Sequence, residues 1–120
     1  MGRIRHDAIV VTGPSEQTNL ARAHAARHFA DSEVHVTEVT PTAVNNTASF
    51  LVAPDGSKEG WAESDAGDRL RAAFVKWLRV EGPSMLDWIE VNFGGDESVE
   101  AYVRRPLDTE FTRVPEEPTP

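Results

Sequence analysis

Glycine and proline divide this chain more firmly than any apolar run does. Gly13-Pro14, Pro41, the stretch Pro54-Asp55-Gly56-Ser57-Lys58-Glu59-Gly60, Gly82-Pro83 and Gly94-Gly95 interrupt it at short intervals. Proline withholds a backbone donor and glycine enters turn geometry freely, so regular structure has to fit between these breaks. Residues 7–12, Asp-Ala-Ile-Val-Val-Thr, read as a short apolar strand. Ser15 offers an N-cap, with Glu16 in the positively polarised first turn, for a helix predicted to run to about Ala30. The inner face of that helix is thin, with Ala21, Ala25 and Phe29 at four-residue spacing.

Val34 to Thr40 alternates as a strand and Thr47 to Ala53 as another. Asn45-Asn46 between them tolerates left-handed geometry, so the two should pair as a hairpin. Ser64 or Asp65 is expected to cap a second helix, whose apolar stripe is Ala66, Leu70, Ala73, Phe74, Trp77 and Leu78. Met85 to Phe93 alternates again; Ile89, Val91 and Phe93 are expected to face the helices, which puts Trp88 on the open side of the sheet. Gly94-Gly95-Asp96-Glu97 turns the chain into a final strand from Val99 to Arg105. The order is β-α-β-β-α-β-β. This predicts an α+β fold with the ferredoxin-like split βαβ layout, an antiparallel sheet with two helices on one face. An exposed Trp88 on the other face calls for a cover, most simply a second copy in a homodimer.

At 120 residues the chain supports one domain, read as 1–105, and excludes a two-domain enzyme. Residues 106–120 carry four prolines among acids and read as a solvated, disordered tail. The formal net charge of -8, from 12 basic and 20 acidic side chains, argues against a stable nucleic-acid complex, which needs surplus cations. It leaves room for one small phosphorylated ligand. No apolar run approaches a membrane span and the N-terminus has no secretory pattern. The absence of cysteine excludes disulfides and thiolate chemistry and fits a reducing compartment.

Four constellations bear on chemistry. In the first, Gly56 and Gly60 let backbone amides approach a ligand, Ser57 adds a hydroxyl, and Lys58 is one of only two lysines. Trp61 supplies a flat face for a base, and the following helix N-terminus favours an anion. The competing reading is an exposed turn whose Trp61 folds back onto the core. In the second, His24 and His28 stand four apart with Asp31 nearby, as in zinc sites, but no third ligand is evident; flanking an Ala-rich face is the simpler role. In the third, Glu59, Glu63, Asp65 and Asp68 could hold magnesium or act as acid and base, though acids at a helix start also serve its dipole. In the fourth, Arg104 and Arg105, with Arg113, are candidate phosphate contacts or guards of an edge strand. No nucleophile–base–orienter set is present, so nothing argues for an enzyme and no cofactor is called for.

The stretch from Ser49 through Trp61, with Glu63-Ser64-Asp65, Gly67-Asp68, Asp87-Trp88-Ile89-Glu90-Val91 and Ala23-His24, resembles a widespread family of small bacteriophage proteins. That family is similar to the phage anti-CBASS sponges, which bind cyclic dinucleotide immune signals and hide them from host effectors. The resemblance covers roughly residues 7 to 105. It implies a homodimer or higher oligomer with ligand pockets at the subunit interface, no turnover, and action in the host bacterial cytoplasm. The Thr42-to-Thr47 loop and the Pro-rich tail depart from the family pattern. On this reading Gly56, Ser57, Lys58, Glu59, Gly60 and Trp61 contact the ligand, with Trp88, Arg104 and Arg105 as further candidates. Two alternatives stand beside it: an acidic inhibitor or nucleic-acid mimic aimed at a host enzyme, and a metal-dependent phosphodiesterase.

Overall fold

Strand β1 (His6–Pro14), nine residues long, pairs with one strand on each edge at the centre of the sheet. Helix α1 (Ser15–His28) follows, then β2 (Thr40–Pro41), β3 (Thr47–Val52), α2 (Ala62–Val80), β4 (Asp87–Phe93), β5 (Tyr102–Arg104) and β6 (Thr112–Arg113). The strands lie in the order β2-β3-β1-β4-β5-β6, every pairing antiparallel. The first four follow the split βαβ layout that the element order predicts, and β5 and β6 extend its edge. The computed structural model describes residues 4–58, 60–95, 101–104 and 112–113. Glu59, Arg105 and most of the 106–120 segment lie outside the described residues. Thr112 and Arg113, expected in a solvated tail, pair with Val103 and Tyr102 as β6.

The core lies between the helices and one face of the sheet. Ile9 and Val11 from β1, Phe50 and Val52 from β3, Ala21, Ala25 and Phe29 from the first helical segment, and Phe74, Val75 and Leu78 from α2 form it. Alanines at 21 and 25 let α1 lie close, and the aromatic rings of Phe29 and Phe74 meet edge-on at 5.7 Å. The left-handed turn expected at Asn45-Asn46 is present, with φ of 65° and 49°.

Four expectations are corrected. Trp88 is buried in the core, not on the open face, with Arg79 over its ring. Alternation sorts β4 into two sets but does not say which set faces inward. Ile89, Val91 and Phe93 are the more apolar set, yet pairing with β1 decides the matter. Trp88 stands opposite Val11, Glu90 opposite Ile9 and Asn92 opposite Asp7, so the set carrying Glu90 and Asn92 faces the helices. The strand expected over 34–40 is mostly irregular. Val36 bridges Val52, but Leu51 N–H donates to the Thr37 hydroxyl in place of a carbonyl, which breaks the ladder until Thr40. Ser15 is the first helical residue and not a cap; its hydroxyl donates to the Asn46 carbonyl. Helix α2 begins at Ala62, with Trp61 at the cap position and no side-chain cap, so neither Ser64 nor Asp65 caps it.

Candidate functional site

The segment joining β3 to α2 is shaped by Asp55. Its Oδ1 accepts the Ser57 backbone N–H at 2.8 Å and the Ser57 hydroxyl at 2.6 Å, a tight aspartate turn. Gly56 and Gly60 hold φ of 77° and 90°, which side-chain-bearing residues rarely adopt, and the space where a Cβ would project is open at both. Trp61 N–H donates to the Lys58 carbonyl at 3.1 Å, and Asp65 N–H donates to the Trp61 carbonyl at 3.1 Å, which carries the turn into α2. The Trp61 side is 48% exposed and outside the core, and the Lys58 ammonium lies 5.6 Å from the centre of its ring. The loop therefore presents an indole and a cation together at the start of a helix. Both Ser57 donors are spent on Asp55, so Ser57 shapes the loop.

Between α2 and strands β1, β4 and β5 is a cleft of about 320 Å³. Its walls include Asp7, Asp68, Arg71, Glu90, Asn92 and Arg104. Arg71 is its hub. The guanidinium is nearly buried and lies 2.6 Å from Asp68, 3.4 Å from Asp55 and 3.6 Å from Asp7. Asn92 donates its amide to Asp7 and accepts from the Arg5 guanidinium, which also donates to the Gly94 carbonyl. Arg104 Nε lies 3.7 Å from Glu90 Oε2. That Glu90 oxygen is buried and has no hydrogen-bond partner among the described residues.

Burial separates the acids by environment. It pushes the Asp7 carboxyl above its ordinary range, against the pull of Asn92 and Arg71, and Asp68 and Asp55 add to the rise. Burial likewise raises Glu90, opposed by Arg104 and Arg79. Burial would raise Asp55 too, but the two Ser57 hydrogen bonds and Arg71 outweigh it and hold that carboxyl below its ordinary range. Asp55 thus remains an anchored anion tying the loop to α2, while Asp7 and Glu90 carry the cost of charge inside the cleft.

The structure brings Gly56, Ser57, Lys58, Gly60 and Trp61 into one exposed loop and sets Arg104 in the cleft. Trp88 joins neither: at 5% exposure it has no face to offer a ligand. His24 stacks on Trp77 at 3.8 Å, and His28 Nε2 meets the Leu70 carbonyl at 2.8 Å, so the pair docks α1 on α2. Among the described residues no group of three His, Asp or Glu side chains is placed to hold a metal ion. Asp65 and Glu63 are exposed on the first turn of α2, whereas Asp68 turns to Arg71. Sequence reasoning missed Asp7, Arg71, Glu90 and Asn92. A signal existed for one of them. Arg71 falls on the inner stripe of α2, four after Gly67 and three before Phe74, and a charged residue there requires buried partners.

Among the described residues no helix is long and apolar enough to cross a membrane. Comparison with protein-family models, curated proteins and solved structures finds no match to this chain.

Proposed function

We propose that this chain is a binding protein that sequesters a cyclic (di)nucleotide immune signal without cleaving it, in the cytoplasm of a phage-infected bacterium. One observation carries the reading: Trp61 is 48% exposed with the Lys58 ammonium 5.6 Å from its ring centre, on a loop opened by two positive-φ glycines. An exposed indole costs solubility unless it has a partner, and a base stacked on it contributes about 1–3 kcal/mol. The ammonium and the N-terminus of the following helix both favour the phosphate that accompanies the base. The resemblance to phage sponges supports the same ligand class. Homodimerisation belongs to this reading. Its contact would be the sheet face opposite the helices, where Phe93 is 42% exposed beside Ile89 and Val91, since Trp88 does not lie there.

Calorimetry of the full chain against cyclic di-GMP, cyclic di-AMP, cyclic GMP–AMP and a cyclic triadenylate tests the proposal, with chromatography of the ligand afterwards. Heat from at least one member and recovery of intact ligand are expected. Silence across the panel overturns the binding claim. Linearised product overturns the claim that nothing is cleaved.

A further inference from the structure

We propose that the groove on the outer side of α1 and α2 binds a second copy of this chain, across a two-fold axis that pairs Arg27 of one protomer with Glu81 of the other. This contact lies on the helical layer, opposite the sheet face assigned to the sponge dimer, so both can form. It does not rest on the nucleotide reading.

The two helices run antiparallel: His28 meets Leu70, and four residues earlier His24 meets Trp77. Together with the segment after α2 they form a groove of about 590 Å³ lined by Leu20, His24, Trp77 and Pro83, with Arg27 and Glu81 in its walls. The core takes Ala21 and Ala25 from α1 and Phe74 and Leu78 from α2, and leaves Leu20 outside at 61% exposure. Met85, 62% exposed, adjoins the groove, because its backbone N–H donates to Oε1 of Gln17 in the groove wall. An apolar surface of this kind, rimmed by charge, marks a place of association.

Charge selects the occupant. The chain carries a net charge of -8, so two copies repel wherever their acids predominate. In this groove the charged side chains cancel, Arg27 against Glu81. Both are exposed, and neither has a salt-bridge partner among the described residues. Arg27 lies three residues beyond His24, a rise of about 4.5 Å along α1. Glu81 lies four residues beyond Trp77, about 6 Å along α2 in the opposite direction. The cation and the anion therefore stand at opposite ends of the groove, with the His24–Trp77 stack between them. A two-fold axis midway between them, perpendicular to the line that joins them, exchanges the two positions. Each Arg27 then faces a Glu81, twice over, and the apolar surfaces meet near the axis. A partner of a single charge sign would satisfy one end of the groove and be repelled at the other, whereas a second copy satisfies both.

Sedimentation equilibrium of the full chain carrying Phe93→Glu, which removes the sheet-face contact, tests the proposal at micromolar to millimolar concentration. A dimer is expected. Arg27→Glu and Glu81→Arg, each added alone, replace two attractive pairs by two repulsive ones and should raise the dissociation constant at least about tenfold. The two together restore opposite charges and should return it close to that of the parent. Thermal melts confirm that each variant is folded, and a structural defect would accumulate in the combined variant where a charge pairing cancels. A monomer at every concentration overturns the proposal and leaves the groove to a different occupant. Single reversals without effect, or no recovery in the combined variant, overturn the pairing. No nucleotide enters any arm, so failure here and failure of the calorimetric test are independent.

Discussion

His24 on α1 lies flat against Trp77 on α2, ring centres 3.8 Å apart and planes within 5° of parallel. This stack, the His28–Leu70 contact and the Phe29–Phe74 ring contact together dock the α1 segment on α2. Burial pushes the His24 imidazole below its ordinary value of 6.5, and the neighbouring charges of His28 and Arg27 push the same way. The unfolded chain therefore binds the proton more readily. Stability from this residue is complete above pH 6.5 and declines as pH falls through that value toward the lower folded one. Urea midpoints measured between neutral and mildly acidic pH should fall with acid, and His24→Phe should flatten the dependence. A wild-type profile as flat as the variant's would remove this role.

Arg71 is the costliest single side chain to lose. Arg71→Met leaves the buried Asp55 carboxylate without its cation, a change that typically costs about 3–5 kcal/mol, and removes a partner from the half-buried Asp7. Asp68 is 58% exposed, so Asp68→Asn should cost about 0.5 kcal/mol or less despite the 2.6 Å contact. Urea unfolding with an unchanged denaturant slope checks both. Equal losses for the two variants would contradict the burial argument.

Gly67 reverses the usual rule for helix glycines. Alanine in a helix interior normally gains about 1 kcal/mol. Here an added Cβ would sit 2.7 Å from Asp55 Oδ2, whose carboxylate is tied to Ser57 and Arg71. Gly67→Ala is therefore expected to destabilise by about 1–2 kcal/mol through overpacking and to loosen the 55–61 loop. Thermal melts combined with proteolysis of the loop measure both effects, and a stabilised variant would show that Asp55 moves aside freely.

Trp61 should separate function from folding. Because the indole stands outside the core, Trp61→Ala should change stability by no more than about 0.5 kcal/mol. Nucleotide affinity should fall by about 1–3 kcal/mol of stacking. Calorimetry and thermal melts on one preparation read the two together. Loss of stability in step with affinity would make the residue structural.

Glu90 sets a pH dependence of the opposite sign to His24. Burial raises its carboxyl above the ordinary 4.5, so the folded chain holds the proton more strongly than the unfolded one. The associated stability is present below 4.5 and is lost as pH rises through the raised folded value. Glu90→Gln should accordingly be more stable than wild type at neutral pH, with the gap closing in acid. Melting temperatures of the pair across that range decide it. A constant gap would mean that packing, not charge, separates them.

Element order was legible in this sequence because glycine, proline and the Asn45-Asn46 pair act locally. A ring that locks φ, or a missing side chain, ends a strand or helix whatever the rest of the molecule does. The same local logic marked the 54–61 loop and its tryptophan. The cleft was not legible. Asp7, Arg71, Glu90 and Asn92 come from three elements as far apart as 85 positions in the chain, and only the packing of α2 across β1 and β4 brings them together. The inward face of β4 was also decided by that packing. Alternation carries no sign, and pairing with β1 turned Trp88 into the core and carried Glu90 and Asn92 with it. Short-range backbone chemistry thus determined which elements form and where they turn. Long-range register determined which side chains meet, because burying Trp88 and joining Asp7 to Arg71 depend on contacts that no contiguous stretch of residues contains.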